Sequence, residues 1–287
     1  MSLALGIIFG ILSMICFGMN SALAKIPAQK LGNVEAVFFR NIFSSLFLFI
    51  IFLIFLPQSN FSFNYILIAL IVAVVGYIPI ISLYQGIKKG KIGIVVPVAG
   101  SYVFFTVIFS VIFFGEFLTA MQVGAIALII IGIILISVNL RDFRNSGLFK
   151  FSSGIPYALI TCFFWGLYSF LFKIPVLVLG PILTSLVSEF GIMLLCGIHL
   201  KLAKIKIRIP DRNIAKYIIL VAFFGASAAV TYGIGVQNAD VSIVASIASA
   251  NPLIAALYGR VVYKEKISFI QYLAMFVITL GIILITI

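Results

Sequence analysis

The amino-acid sequence predicts an all-α polytopic membrane protein, with ten transmembrane helices formed by two inverted five-helix repeats. Three observations predict it. Of the 287 residues, 64% are hydrophobic and only 9% are charged, whereas a soluble domain devotes about a quarter of its residues to charge. Apolar windows of about 20 residues, long enough to cross the hydrocarbon core as helix, recur along the whole chain. The pattern of polar residues also repeats itself at an interval of 148–149. This composition excludes a disordered chain and an ordinary cytosolic enzyme. It also excludes a basic nucleic-acid binder, despite a formal charge of +12.

Each window reads as a helix, because lipid cannot satisfy free backbone groups, and the runs are too long and too uniformly apolar for barrel strands. The first window, 3–24, lacks a basic leader region and a small-residue cleavage site, so it reads as a span. The stretch KIPAQKLGN (25–33) separates it from 34–56, which carries Arg40 and ends at PQSNFSFN (57–64). The third window, 65–86, holds Pro79 and Tyr84; the fourth, 92–114, holds Pro97 and Tyr102. The fifth, 120–139, follows Gly115-Glu116 and leads to LRDFRNSGLFKFSS (140–153). The sixth, 154–176, carries Trp165, Tyr168 and Lys173, and the seventh, 181–200, carries Glu189. After the basic connection KLAKIKIRIPDRN (201–213) come 214–236 with Tyr232, 241–259 with Asn251-Pro252, and 268–287. With no soluble tail expected, the chain reads as spans and short connections throughout.

Ten spans give the charge a meaning. Eighteen of the 19 Lys and Arg fall on the face reached after the first span, against four acids there, Glu35, Asp142, Asp211 and Glu265, a net of +14. The opposite face holds Lys173 against Glu116 and Asp240, a net of −1, and Glu189 lies inside a span. Basic connections stay in the cytoplasm. The basic face is therefore expected to be cytoplasmic, in a prokaryotic inner or plasma membrane, with both termini outside.

The repeat is carried by polar identities. Gly18, Ser21, Lys25 and Pro27 recur at Gly166, Ser169, Lys173 and Pro175, and Glu116, Gln122 and Gly132 recur at Glu265, Gln271 and Gly281. The expected units are 1–146 and 147–287. Each holds five spans. Five is odd, so the second copy is inverted, a plan in which secondary transporters bind substrate at the repeat interface. Lys173 then faces away from the other cations because it is the inverted copy of Lys25.

The stretch Tyr84–Ile136, through Tyr84, Gly90, Pro97, Gly115-Glu116, Gln122, Gly124 and Gly132, resembles the last helices of the EamA repeat of the drug/metabolite transporter superfamily. FGMNSALAK (17–25) with Arg40 resembles that repeat's start, and FWGLYSFLFK (164–173), Asn251-Pro252, Glu265, Gln271 and Gly281 match in the second half. The resemblance implies ten helices around a central cavity and alternating access to a small metabolite. It also implies cytoplasmic termini and a basic connection between helices 2 and 3. Here that connection has no basic residue and the one between helices 7 and 8 has many, so the chain reads as flipped.

The candidate substrate-binding residues are Asn20, Tyr84, Tyr102, Tyr168, Tyr232 and Asn251, polar groups within or at the ends of apolar spans, with Lys25 and Lys173 as charged candidates. Interhelical hydrogen bonding for the first six, and snorkelling to the interface for the lysines, are the structural alternatives. Glu189, a carboxylate in mid-span, must be protonated, paired or wet; it reads either as the carrier of a coupling proton or as half of a structural ion pair. Arg40 reads as an interfacial anchor. Pro79, Pro97 and Pro252 mark helix kinks or breaks, and Glu116 and Glu265 read as charges at the start of each repeat's last helix. Cys16, Cys162 and Cys196 read as small buried hydrophobes. No metal-ligand pattern or cofactor motif is present, and the expected partners are a small-molecule substrate, a coupling proton and membrane lipids, in a monomer or homodimer. The function expected is a secondary transporter of a small polar metabolite, amino acids first. The alternatives are a lipid or lipid-linked sugar flippase and a nucleobase or sugar permease; an intramembrane enzyme would need more acids and more than one histidine.

Overall fold

The computed structural model describes residues 2–55, 61–89, 92–137, 154–264 and 267–285. Among them every regular element is a helix: α1 (Leu3–Leu31), α2 (Asn33–Phe55), α3 (Phe63–Lys89), α4 (Ile92–Gly100), α5 (Val103–Phe114), α6 (Ala120–Ser137), α7 (Ile155–Leu171), α8 (Lys173–Leu202), α9 (Arg212–Asn238), α10 (Val241–Ser249), α11 (Pro252–Val261) and α12 (Phe269–Ile285). Eight spans are long and apolar enough to cross a membrane, and the shorter apolar helices α7 and α12 make ten. The fourth and ninth expected spans are each two helices, α4–α5 and α10–α11, interrupted near mid-span.

Helix boundaries depart from the apolar windows for a physical reason. Hydropathy marks where lipid begins, not where hydrogen bonding ends. Thus α1 continues through Lys25 and Pro27 to Leu31. The chain turns at Gly32 (φ 100, ψ 158), a region open only to glycine. Gly180 (φ 77, ψ 165) plays the same part inside α8, between its first two turns and Pro181. The two glycines are 148 residues apart, so both repeats join their first and second spans in the same way. Gly115 (φ 65) closes α5, and its counterpart in the second half, Lys264, takes φ 53.

Inversion of the repeats is visible in reciprocal contacts, as at any two-fold interface. A Cβ at Gly132 would lie 2.5 Å from Ile278 and 3.1 Å from the Ala274 carbonyl; one at Gly281 would lie 2.7 Å from Ile129 and 2.9 Å from the Ala125 carbonyl. Each member of the second set is the repeat copy of one in the first. Gly18 likewise meets Ile254 and the Asn251 carbonyl, while Gly166 meets Phe105 and the Tyr102 carbonyl. Gly76 packs on the Tyr168 ring and Gly225 on Asn20, again copies of one another.

The caps are equally paired. Thr119 and Gln122 exchange hydrogen bonds at the start of α6, at 2.9 and 3.2 Å. Ser268 and Gln271 do so at the start of α12, at 2.9 and 3.3 Å. These are reciprocal capping boxes. Glu116 corrects an expectation. It does not serve its own following helix α6. Its carboxylate crosses to the second repeat and accepts the Val241 and Ser242 amides at 2.7 and 2.9 Å and the Ser242 hydroxyl at 2.6 Å. Lys173 Nζ lies 3.6 Å away. Glu265 lies outside the described residues.

Because Gly132 and Gly281 are the points of closest approach of α6 and α12, Leu at either position must push the helices apart. Each substitution is expected to destabilise by about 1–3 kcal/mol, to a similar extent, and to lower the thermal unfolding midpoint of the detergent-solubilised protein. Wild-type melting of Gly132→Leu would contradict this packing.

Candidate binding cavity

A cavity of about 640 Å³ lies between the repeats. α1 contributes Phe17, Asn20 and Ser21; α3 contributes Gly76 and Tyr84; α7 contributes Trp165, Tyr168 and Ser169. Tyr102, Asn251 and Pro252 come from the breaks in α4–α5 and α10–α11, and α9 adds Val221, Ala229 and Tyr232. The lining reaches Pro27 and Asn33, Leu83 and Tyr84, Ser137 and Ile218. These mark the end of the bundle that carries the basic connections, and Tyr84 is exposed there. At the other end the cavity stops at Phe172 and Tyr232. Behind them Val176, Val236, Val241 and Val244 form a buried plug.

The breaks explain why Tyr102 and Asn251 face this space. Pro97 supplies no amide in the last turns of α4, and the Pro97 carbonyl takes both the Ser101 amide, at 3.2 Å, and the Ser101 hydroxyl, at 2.9 Å. Asn251 turns its Nδ2 back to the Ala248 carbonyl at 3.1 Å, and Pro252 opens α11, where a missing amide costs nothing. Irregular backbone in a membrane is tolerated where it lines a cavity. α3, by contrast, runs through Pro79 without interruption.

At the cavity wall sits one ion pair. Arg40 Nη2 donates to Glu189 Oε2 at 2.5 Å, with side chains 20% and 8% exposed. Arg40 Nε donates to Asn41 Oδ1 at 2.7 Å, and Asn41 Nδ2 donates to the Glu189 carbonyl at 3.2 Å. Arg40 was expected at the interface; it lies against the cavity instead, because Glu189 needs a partner where lipid supplies none. Arg40 and Glu189 are 149 residues apart, so they occupy nearly equivalent places in α2 and α8 and meet across the pseudo-two-fold. A lone cation in span 2 and a lone anion in span 7 at matching depth were the sequence signal for this pair.

Around the pair, Asn20 Nδ2 donates to the Val221 carbonyl at 2.8 Å, Tyr232 Oη to the Ser169 carbonyl at 2.9 Å, and the Tyr168 and Ser188 hydroxyls lie 3.4 Å apart. Tyr102 packs edge-on to Trp165 at 5.9 Å. Asn20, Tyr84, Tyr102, Tyr168, Tyr232, Asn251, Glu189 and Pro252 thus share one cavity. Lys25 and Lys173 are not among its lining residues. Lys25 is exposed beside the Tyr263 ring at 5.2 Å. Lys173 sits at the closed end with Glu116 and over the Phe114 ring at 5.3 Å. Beside them, burial first and the Glu116 carboxylate second raise the Asp240 pKa, with Lys173 opposing. Ser21, Ser137, Ser169 and Ser249 are wall residues that sequence reasoning did not place at the site, since serine is common in spans.

Comparison with known proteins gives a consistent picture. The model of the EamA-like transporter family matches residues 4–138 and again 152–287. A protein of Archaeoglobus fulgidus described as an uncharacterized transporter is 24% identical over 290 residues, covering 98% of this chain and 97% of its own. An uncharacterized protein of Methanocaldococcus jannaschii is 35% identical over 133 residues, which are 46% of this chain and 96% of that one. One crystal structure superposes with a TM-score of 0.86 at 15% identity, covering 99% of this chain and 97% of the other; it supports the fold alone.

Removing one partner of a buried ion pair strands the other, at a cost of roughly 3–5 kcal/mol. Arg40→Ala and Glu189→Ala are each expected near the lower end of that range, since the cavity leaves Arg40 partly wet. The double variant should recover much of the loss. A thermal-stability cycle in detergent checks this, and strictly additive losses would show the two side chains to be uncoupled.

Proposed function

The chain belongs to the EamA-like transporter family, and from that premise we propose that it carries a small polar solute, an amino acid in first place, by alternating access through the central cavity. It is a multi-pass membrane transporter; the substrate reading rests on the Arg40–Glu189 pair. A cation and an anion joined in a mostly apolar cavity of about 640 Å³ offer a zwitterion both charges it needs. Its carboxylate takes Arg40 and its ammonium takes Glu189, and the solute is then paired with groups that were paired before it arrived. This exchange keeps the cost of burying charge low. Asn20 and Tyr168 lie beside that pair and, with Tyr102 and Asn251 elsewhere on the cavity wall, supply hydrogen bonds, while Trp165 and Phe17 supply apolar walls.

The same pair is suited to coupling. A proton delivered to Glu189 releases Arg40, so that proton and solute compete for one carboxylate. The basic end, taken as cytoplasmic, is the open end, and the plug behind Phe172 and Tyr232 closes the opposite side. The two inverted repeats rock about the pseudo-two-fold to exchange these roles.

In proteoliposomes, uptake or counterflow is expected for one or more amino acids in a panel that includes nucleobases and sugars. Flux no greater than in empty liposomes across the whole panel, in both orientations, would overturn the reading, and flux confined to nucleobases or sugars would move it to the permease alternative. Glu189→Gln is expected to lower transport at least tenfold and flatten its pH dependence; unchanged transport and pH profile would remove Glu189 from coupling.

Orientation has its own test. A reporter active only in the cytoplasm, fused to the C-terminus, is expected to be silent. Full activity would place the basic face outside.

A further inference from the structure

The connection between α8 and α9 has a form that transport does not require. After Leu202 the chain turns at Lys204 (φ 53) and then runs through residues 205–211 with no helix, turn or bend. Where such a chain is extended, successive side chains point to opposite faces. The sequence there alternates strictly: Lys204, Ile205, Lys206, Ile207, Arg208, Ile209. One face is cationic and the other is isoleucine. Every residue from 201 to 209 is exposed, and Leu202 and Ile209 are 77% and 88% so. A connection in water is normally polar, yet Ile205, Ile207 and Ile209 leave 40%, 49% and 88% of their surface uncovered.

The charges are equally unspent. Lys201, Lys204, Lys206, Arg208, Arg212 and Lys216 form no salt bridge among the described residues. The acids close to them are committed to backbone. Asp211 caps α9 through the Asn213 and Ile214 amides, at 2.9 and 2.8 Å. Glu35, buried in the first turn of α2, accepts the Arg208 amide at 3.1 Å.

We propose that residues 204–209 form a strap that lies in the membrane–water boundary and binds anionic phospholipid headgroups through Lys204, Lys206 and Arg208, with Ile205, Ile207 and Ile209 turned into the acyl layer. The segment joins two membrane-crossing helices and so sits at that boundary. Its two-faced pattern matches an anionic surface over an apolar one. The Glu35–Arg208 bond fixes the strap to α2, whose Asn33, Ala36 and Val37 line the mouth of the cavity. Lipid held by the strap therefore bears on the mouth.

The test uses the full chain with two readouts. Delipidated protein is offered equal amounts of phosphatidylcholine and phosphatidylglycerol, and retained lipid is counted by native mass spectrometry. Wild type is expected to prefer phosphatidylglycerol. K204Q/K206Q/R208Q is expected to lose up to about fivefold of that preference per charge removed, while melting as wild type in phosphatidylcholine nanodiscs. In a Trp165→Phe background, Ile207→Trp should be quenched by brominated acyl chains and Lys206→Trp should not. An unchanged lipid preference in the triple variant overturns the proposal. So does a Trp at 207 quenched by aqueous acrylamide and not by brominated lipid, a result that would point to a soluble acidic protein as the occupant.

Discussion

Lipid gives a protein nothing to bond to, and every unusual feature of this molecule follows from that constraint. A carboxylate, a broken helix or a lone cation can persist inside the bundle only where the protein itself completes it. Glu189 is completed by Arg40 and Glu116 by Lys173 with two amides of α10. The helix breaks near Tyr102 and Asn251 are completed by Ser101 and by Asn251 itself, and both open onto the cavity. The Arg40–Glu189 pair and the two helix breaks lie at the cavity because it lets partly satisfied groups exist.

Glycine sets how close the repeats can come, and the inverted repeat sets where. Gly18 and Gly166 seat the breaks of the opposite repeat against α1 and α7, and Gly76 and Gly225 seat Tyr168 and Asn20. Yet the equivalent residues differ in chemistry. Asn20 corresponds to Tyr168, and Tyr102 corresponds to Asn251. A symmetric frame thus carries an asymmetric wall, and an asymmetric solute can be held in one orientation near the axis. The Arg40–Glu189 pair contributes to this, since α2 supplies its cation and α8 its anion.

Much of this was legible in the sequence. Ten apolar runs, an odd number per repeat and one-sided charge led to the inverted ten-helix fold, and polar residues inside apolar runs led to Asn20, Tyr84, Tyr102, Tyr168, Glu189, Tyr232 and Asn251 on the cavity wall. Two kinds of information were not legible. Hydropathy measures transfer into lipid, so it did not show α1 running on to Leu31, and only Pro97 marked the span at 92–114 that divides into α4 and α5. Partners across the interface were also hidden, because they depend on which helices meet. Arg40 and Glu116 were therefore read from their local positions, at an interface and at a helix start, while their bonds are to the other repeat. The inverted repeat did contain the clue for Arg40, since near-equivalent residues close to a two-fold axis face each other.

The same logic reads the state of the molecule from its asymmetries. Lys25 and Lys173 are copies, each near the end of the first span of its repeat. In a perfectly symmetric arrangement they would have the same surroundings. Each does lie over the copy of the other's ring, Lys25 over Tyr263 at 5.2 Å and Lys173 over Phe114 at 5.3 Å, yet Lys25 is exposed while the Lys173 side chain, beside Glu116, is only 15% exposed. The plug of Val176, Val236, Val241 and Val244 packs behind Phe172 and Tyr232 at the Lys173 end. The ring contacts of the two lysines match and their exposure does not, so the same elements shield the two ends to different degrees. Under the alternating access proposed above, exchanging which end is closed calls for the repeats to trade packing arrangements, with no new structural element.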